Sequence, residues 1–386
     1  MKIAVLKEMA EGERRVAATP ETVKKFAALG GAMAVEAGAG LSASISDAEY
    51  EAAGATVGPR SEILRDADAV LAVQGPDPAD LSGAKPGMLL VASLNPFGER
   101  ARVDGYAGVG IEALAMEFMP RITRAQSMDI LSSQSNLAGY KAVLDAAAEY
   151  GRALPMMMTA AGTIPAARVF VMGVGVAGLQ AIATARRLGA IVSATDVRPE
   201  TREQIESLGA KAVFAEGLEA AGTGGYAAEL SDEQKTRQAE LVSSHISKQD
   251  IVITTALIPG RPAPRLVSDA QLATMRPGSV IVDLAVEQGG NVEGAVAGAV
   301  VERHGVRIVG HRNVPSRLAA DASALYARNL YNFLSAFWDK EAGRVALPDD
   351  DEIVKGVRLT RGGQVVNERL LSSPSGGGGP AKPVEG

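Results

Sequence analysis

The sequence contains no cysteine, which excludes disulfides, thiolate zinc sites and a cysteine nucleophile. Its three histidines, His245, His304 and His311, form no pair with the spacing of metal ligands, so we predict no metal site. Lysine and arginine together number 39, against 45 aspartates and glutamates. Because a nucleic-acid-binding surface needs a basic excess, we expect no nucleic-acid partner.

Long apolar runs are also missing. The best candidate for a transmembrane helix is the segment 169–185. It is shorter than the roughly 20 residues that such a helix needs, and it contains Gln180 and several glycines. The N-terminal residues 1–8 reach charged side chains at once and lack the apolar core of a signal peptide. We therefore expect a cytoplasmic protein.

Aromatic residues make up only 4% of the chain, whereas alanine and glycine are abundant, which is typical of helices packed closely on parallel sheets. Apolar runs alternate with amphipathic segments in two series, which predicts an α/β fold with two Rossmann-like domains and mostly parallel sheets. The first series predicts strands at 2–6, 32–36, 69–73, 88–94 and 109–116, and a helix at 21–29. The second predicts strands at 169–172, 191–195, 211–214, 251–255, 280–284 and 306–309, and a helix at 177–188.

Two further helical segments, 132–152 and 316–338, are expected to join these domains. The first domain is then discontinuous, formed by residues 1–132 and 320–371, and the second comprises residues 133–319, with a ligand cleft between the two. A third, helical subdomain is the alternative. The Gly/Pro-rich tail, residues 372–386, is predicted to be disordered because it cannot bury enough apolar surface to fold.

A glycine-rich motif lies directly after the predicted strand that ends at Met172. Gly173 permits a tight turn, Gly175 lets the backbone approach a pyrophosphate, and Gly178 permits close packing of the helix on the strand. Asp196 ends the next strand, where a carboxylate accepts hydrogen bonds from both adenosine ribose hydroxyls and repels a 2′-phosphate. The motif predicts binding of NAD(H) rather than NADP(H), and a glycine-rich turn without a ligand is the alternative.

Neighbouring residues complete the predicted nucleotide site. Val176 opens the helix after the glycine loop, Val197 follows Asp196, and Ala256 and Leu257 follow a later strand of the same sheet. Arg198 could bind a 2′-phosphate, but the adjacent Asp196 favours a contact with the ribose edge or the adenine. Two carboxylates at the end of another strand, Asp283 and Glu287, either act in a site or cap their loop.

Several segments resemble one superfamily, that of alanine dehydrogenase and pyridine nucleotide transhydrogenase. They are Lys7–Glu8, residues 13–20, 283–290 and 313–316, and above all residues 121–140. The last segment resembles the NAD(H)-binding domain I of proton-translocating transhydrogenase. The resemblance implies that NAD(H) is bound here, that NADP(H) is bound by a partner domain III, and that a membrane domain II translocates protons. It also implies a homodimer, held at the inner membrane as a peripheral protein through its partners.

The resemblance further implies roles for individual residues. Arg121, Gln126 and Asp129 would position the dihydronicotinamide, with Ser132 beside them. Direct hydride transfer needs no proton donor but needs a fixed ring orientation, which an amide, a guanidinium and a carboxylate can provide. Without the resemblance, a polar interdomain loop would explain these residues equally well. A loop that closes over the nucleotide would include Gly225 and Tyr226.

The competing interpretation is an alanine dehydrogenase on the same fold. Those enzymes resemble this chain at Arg15, but they carry a lysine on the strand that ends here at Gln74 and a histidine on the strand that ends here at Asn95. Neither basic residue is present, so the acid–base groups of amino-acid chemistry are missing. Glu287 also replaces the aspartate usually found before Gln-Gly-Gly. An NAD-binding regulator without catalysis and a structural subunit with a vestigial site are the remaining alternatives.

Overall fold

The computed structural model describes residues 1–81, 84–214, 231–258 and 260–372. The chain forms two compact units. Unit 1 contains Met1–Ala10, Arg15–Ile130 and the residues from Ser323 onward, and unit 2 contains Glu11–Arg14 and Leu131–Ala322. Unit 1 is thus assembled from segments that are far apart in the sequence.

Six strands form the sheet of unit 1: β1 (Lys2–Val5), β2 (Ala32–Glu36), β3 (Thr56–Gly58), β4 (Ala69–Gln74), β5 (Leu89–Ser93) and β6 (Glu112–Ala115). Their order across the sheet is β3-β2-β1-β4-β5-β6, and every pair is parallel. Since β1 pairs with β2 on one side and β4 on the other, the order reverses at this point. Crevices at the carboxyl ends of strands at such reversals are where α/β sheets bind ligands.

Aliphatic side chains dominate the central strands, which are covered on both faces, as expected for parallel sheets. Four helices connect the strands: α1 (Pro20–Ala28), α2 (Asp47–Ala52), α3 (Arg60–Leu64) and α4 (Arg100–Gly108). Capping boxes, in which Thr19 and Ser46 each accept the N–H of the third helical residue, fix where α1 and α2 begin.

Unit 2 contains an exposed hairpin, formed by β7 (Met157–Thr159) and β8 (Gly162–Ile164), and a seven-stranded sheet. The strands of that sheet are β9 (Arg168–Met172), β10 (Ile191–Thr195), β11 (Lys211–Ala212), β12 (Ile251–Thr254), β13 (Val280–Asp283), β14 (Val300–Arg303) and β15 (Val306–Val309). The order is β11-β10-β9-β12-β13-β15-β14, and only β14, at the edge, runs antiparallel to its neighbour. The prediction of two Rossmann-like α/β units with mostly parallel sheets is confirmed.

The helices that follow along the chain are α5 (Ile130–Glu149), α6 (Val176–Arg187), α7 (Thr201–Ser207), α8 (Asp232–Ile246) and α9 (Asp269–Leu272). Within unit 2, α5 passes close to the start of α6. A Cβ atom on Gly139 would lie 2.0 Å from the carbonyl oxygen of Ala177, so only glycine permits this approach.

The chain then forms α10 (Ala319–Ala336), the pair β16 (Trp338–Asp339) and β17 (Arg344–Val345), α11 (Glu352–Val357), the pair β18 (Thr360–Arg361) and β19 (Gln364–Val365), and α12 (Glu368–Leu371). The helix predicted at 316–338 is preceded by a 3₁₀ turn, Val314–Leu318. The predicted disordered tail lies, apart from Ser372, outside the described residues. Within the ranges that the structure covers, no helix has the length and apolarity that a membrane crossing requires.

Tyr326 of α10 connects this helix to the sheet of unit 1. Its buried hydroxyl accepts the N–H of Ser93 at 3.1 Å and faces the carbonyl oxygens of Ala72 and Val73 at 3.0 and 3.1 Å. The carboxyl ends of β4 and β5 are therefore held by a single side chain from the C-terminal segment.

Replacing Tyr326 with phenylalanine should destabilise unit 1 by about 2 kcal/mol, because the N–H of Ser93 loses its acceptor while it stays shielded from water. Urea unfolding followed by the fluorescence of Trp338, which is buried in unit 1 and is the chain's single tryptophan, would measure this loss. Tyr331→Phe is the matched control. The Tyr331 ring packs edge-on against Phe26, and no described residue bonds its hydroxyl. Equal effects of the two variants would contradict the role given to the Tyr326 hydroxyl.

Candidate functional site

The turn between β9 and α6 is built from three glycines that face three different constraints. Gly173 has a φ of +97°, and a Cβ there would lie 2.6 Å from the Thr255 hydroxyl oxygen. A Cβ on Gly178 would lie 1.9 Å from the carbonyl oxygen of Gly173. The turn and the first turn of the helix therefore touch through backbone atoms alone, which places the start of α6 directly above the end of β9.

Gly175 differs from the other two because no described atom lies within 4 Å of its Cβ position. It is the N-cap residue of α6, and no side chain caps the first N–H groups of this 12-residue helix in the part of the chain described. Val176, the first helical residue, is exposed, at 38%. Open space over a glycine and unpaired helical N–H groups fit a pyrophosphate, which needs close backbone approach and a positive helix end.

Asp196 lies immediately beyond the end of β10 and is 8% exposed. Its Oδ2 accepts the N–H of Val174 at 2.6 Å, so the carboxylate is held against the glycine loop. Burial opposes ionisation of Asp196, but hydrogen bonds from Arg198 and Val174 outweigh it and hold the pKa of the carboxyl below its usual range. The group is therefore a carboxylate at neutral pH, a form that accepts hydrogen bonds from hydroxyl groups.

Arg198 binds the same carboxylate through both its backbone and its side chain. Its N–H and Nε donate to Asp196 Oδ1, each at 2.9 Å, and its Nη2 donates to Oδ2 at 3.0 Å. The guanidinium side chain is 14% exposed, and the bidentate pair raises the pKa of Arg198 further. Val197 lies between the two paired residues and is partly buried.

Ala256 and Leu257 follow β12, which neighbours β9 at the point where the strand order reverses. Asn291 is fully buried and bonds Ala256 twice, accepting its N–H at 3.0 Å and donating to its carbonyl oxygen at 2.9 Å. The Thr255 hydroxyl donates to the carbonyl oxygen of Gly173 at 3.0 Å. The structure thus brings Ala256 beside the glycine loop, while Leu257 is 37% exposed.

Asp283 and Glu287 both accept backbone N–H groups, Asp283 from its own loop and Glu287 from the segment before the 3₁₀ turn Val314–Leu318. Asp283 is 1% exposed and accepts the N–H groups of Ala285 at 2.9 Å and Val292 at 3.0 Å. Burial raises the pKa of Asp283, against the opposing effect of these bonds. Glu287 accepts the N–H of Asn313 at 2.9 Å. Of the two alternatives that the sequence leaves open, the geometry of Asp283 agrees with loop capping, whereas Glu287 connects its loop to a later segment.

The segment 121–129, which contains Arg121, Gln126 and Asp129, is a compact loop of unit 1. A 3₁₀ turn covers Thr123–Met128, and the side chains of Arg121 and Gln126 are exposed whereas Asp129 is partly buried. The carbonyl oxygen of Ser127 accepts two side-chain bonds from α10, from Asn329 at 2.8 Å and Asn332 at 2.9 Å. The loop is therefore fixed by its backbone, and the side chains of Arg121 and Gln126 lie at the surface.

The remaining predicted positions lie elsewhere. Ser132 is a partly buried residue in the first turn of α5. Gly225 and Tyr226 lie outside the described residues. No cluster of three or more His, Cys, Asp or Glu side chains within the described ranges has an arrangement that could hold a metal ion.

Sequence reasoning missed the residues whose side chains fix the backbone of the predicted site segments. Thr255, Asn291, Asn329 and Asn332 contact main-chain groups that are distant in the sequence, so no local pattern identifies them. The one available signal is the position of Asn291 directly after the Gly289–Gly290 pair, which ends one of the segments that resemble the superfamily.

The corresponding edge of the sheet in unit 1 carries acidic and amide groups. Glu8 accepts the N–H of Gln74 at 3.2 Å, and Glu117 accepts the N–H of Asn95 at 2.5 Å. Asn95 has a φ of +45°, which asparagine tolerates better than most residues. Arg15 is 8% exposed, with its guanidinium carbon 5.9 Å from the centre of the Tyr326 ring.

Comparison with known proteins agrees with this architecture. Family models described as the N-terminal and C-terminal domains of alanine dehydrogenase/PNT match residues 4–138 and 142–368. An NAD(P) transhydrogenase alpha-subunit polypeptide of Rhodospirillum rubrum is 54% identical over 96% of this chain and 99% of that protein. Alanine dehydrogenase 1 of Staphylococcus aureus is 27% identical over 97% of this chain and 96% of its own.

Among solved structures, too, a transhydrogenase is more similar to this chain than an alanine dehydrogenase is. A transhydrogenase from Sinorhizobium meliloti has a TM-score of 0.84 and 54% identity over 96% of this chain and all of that one. An L-alanine dehydrogenase has a TM-score of 0.79 and 26% identity over 96% of this chain and 98% of its own. The matches cover both domains and nearly the whole length of the chain. The chain therefore belongs to the alanine dehydrogenase/pyridine nucleotide transhydrogenase (PNT) family.

Proposed function

We propose that this chain is the NAD(H)-binding subunit of a proton-translocating transhydrogenase. The observation that carries the proposal is the glycine loop, in which Gly175 is open to a ligand while Gly173 and Gly178 are closed by the protein, beside the carboxylate of Asp196. High identity to transhydrogenase alpha subunits, against 27% to an alanine dehydrogenase, supports this assignment within the family.

The residues of unit 2 fit a dinucleotide. The N–H groups at the start of α6, around Gly175 and Val176, would bind the pyrophosphate, and Asp196 would accept the ribose hydroxyls of the adenosine half. A buried carboxylate is a poor neighbour for a 2′-phosphate, because like charges repel strongly where water is excluded. This favours NAD(H) over NADP(H) on this chain.

The loop of unit 1 would orient the other end of the cofactor. When bound, NADH supplies a hydride, which passes to NADP⁺ held by a partner domain. Gln126 offers an amide donor and acceptor, Asp129 a carboxylate and Arg121 a guanidinium, which together can fix a carboxamide and neutralise a phosphate. None of these groups must move a proton, since the reaction needs position and orientation only.

Amino-acid dehydrogenation is the second candidate in this family, and the edge of the unit 1 sheet disfavours it. Gln74 and Asn95, at the ends of β4 and β5, cannot serve as general acids or bases near neutral pH. The carboxylates of Glu8 and Glu117 are engaged with the backbone around these two residues. Without a basic side chain there, deprotonation of an amino group has no assigned acceptor.

The partners follow from the same assignment. We propose an NADP(H)-binding domain III and a membrane-embedded domain II as partners, through which this chain is held at the cytoplasmic face of the inner membrane. We also propose a homodimer, in which the exposed hairpin of one copy meets the adjacent groove of the other. Met156 and Met158 are 62% and 79% exposed, and a groove of about 530 Å³ is lined by Leu154, Pro155 and Leu188. Apolar exposure of this kind is typical of subunit contacts.

Gly175→Ala should weaken NADH binding more than tenfold and leave the thermal unfolding midpoint unchanged. The new methyl group has open space in the protein, and Gly175 has a φ of −80°, which alanine tolerates, so only a pyrophosphate would meet it. Fluorescence titration with NADH and a thermal melt measure the two effects. Gly151→Ala, where the methyl group is also unopposed, is the control and should change neither. Normal NADH affinity in Gly175→Ala would argue against a pyrophosphate at this loop.

Hydride exchange between NADH and an NADP⁺ analogue, on mixing the full chain with an NADP(H)-loaded domain III, tests the reaction itself. Gln126→Asn and Asp129→Asn should slow the exchange by at least tenfold and raise the Kd for NADH much less, because orientation contributes to the rate more than to the affinity. Parallel losses in rate and affinity would show that the loop contributes to nucleotide binding only. Reduction of NAD⁺ by alanine, without any exchange, would instead establish the alanine dehydrogenase alternative.

Met158→Asp should convert the dimer to a monomer, because a charge would be buried at the proposed contact. Sedimentation velocity at micromolar concentration gives the mass directly. Met9→Asp, at a methionine of unit 1 that is 73% exposed, is the matched control and should remain dimeric. A dimeric Met158→Asp protein would place the subunit contact elsewhere.

A further inference from the structure

The carboxylate of Asp196 has no acceptor position left over. Its two oxygens offer about four lone-pair positions. Oδ1 accepts the N–H and the Nε of Arg198, and Oδ2 accepts the N–H of Val174 and the Nη2 of Arg198. A group placed to bind ribose hydroxyls is thus already saturated by four protein donors.

The four donors differ in how they can be displaced. The N–H groups of Val174 and Arg198 belong to the backbone just beyond the ends of β9 and β10, so they stay wherever the fold stays. The guanidinium stands on a long side chain with several rotatable bonds, and it can leave by side-chain rotation alone. Of the four, the two guanidinium contacts are the ones that a ligand can exchange.

We propose that the Arg198 guanidinium occupies the ribose subsite of the free protein and is exchanged for the adenosine ribose hydroxyls when the nucleotide binds. Arg198 is then a positioning residue that lowers nucleotide affinity, in contrast to an arginine that adds a contact to the cofactor. This inference rests on the proposed NAD(H) site, and it concerns the adenosine half alone.

The burial of Asp196 explains why the carboxylate is paired with Arg198 in the free protein. Asp196 is 8% exposed, and a buried carboxylate without a paired charge is costly. The guanidinium satisfies the carboxylate until two ribose hydroxyls can do so. Because a charge-assisted pair is replaced by neutral donors, the exchange reduces the net gain on binding.

The experiment measures dissociation constants of the full chain for three ligands, NADH, ADP-ribose and reduced nicotinamide mononucleotide, which lacks the adenosine half. Arg198→Ala should tighten NADH and ADP-ribose by roughly fivefold to tenfold, which corresponds to about 1 to 1.4 kcal/mol. The mononucleotide should bind as it does to the unaltered protein. Arg198→Lys retains the charge but cannot span both carboxylate oxygens, so it should give a smaller gain. The lysine variant also keeps the test valid if Arg198→Ala folds poorly.

Arg202→Ala is the matched control for the loss of one positive charge. The Arg202 guanidinium lies 4.6 Å from the centre of the Phe214 ring, and its loss should leave NADH affinity unchanged or slightly weaker. Unchanged or weaker NADH binding in both Arg198 variants overturns the exchange, as does a gain that extends to the mononucleotide. If the unaltered protein binds none of the three ligands, the proposed NAD(H) function fails together with the inference. If it binds NADH and only the expected gain is missing, the proposed function stands.

Discussion

The structure of unit 2 depends on one backbone contact, the approach of α6 to the turn that follows β9. Because Gly178 carries no side chain, the first turn of α6 packs directly on the carbonyl oxygen of Gly173. This contact sets the helix axis over the strand, and it leaves the N–H groups at the helix start facing outward from the sheet. The carboxylate of Asp196 is then tied to the same turn through the N–H of Val174. A shift of α6 by a single methyl radius would disturb all of these relations together.

The two units have similar sheet topologies but carry different groups at the carboxyl ends of their central strands. In unit 2 that edge combines glycine, a helix N-terminus and one carboxylate. In unit 1 the ends of β4 and β5 carry Glu8, Glu117 and the hydroxyl of Tyr326, all of which bind backbone groups at or just beyond these two strands. The same sheet order therefore does not imply the same use. Ligand capacity depends on whether the edge also offers open space and unpaired helical N–H groups, as at Gly175, or has its polar groups bound within the fold.

The sequence predicts what depends on local pattern. Buried parallel strands are continuous aliphatic runs, so the positions of β9, β10, β12 and β13 follow from the sequence to within a residue, and the glycine spacing identifies the turn. Strand β3 has three residues and β14 is a short antiparallel edge strand, too little for periodicity to distinguish from a loop. The Asp196–Arg198 pair escapes sequence reasoning, although its partners are two residues apart, because pairing depends on side-chain rotamers. The donors to Ser127 lie more than 200 residues later in the sequence, and no local sequence pattern can predict such contacts.

The anchoring of Ser127 by Asn329 and Asn332 also bears on the order in which the molecule is made. The two donors follow their acceptor by 202 and 205 residues along the chain. At translation rates of about 5–20 residues per second, roughly ten to forty seconds separate synthesis of the loop from synthesis of its anchor. The long continuous segment of unit 2, Leu131–Ala322, is synthesised in that interval. The segment 121–129 therefore cannot acquire this backbone support until the whole sheet of unit 2 has been synthesised.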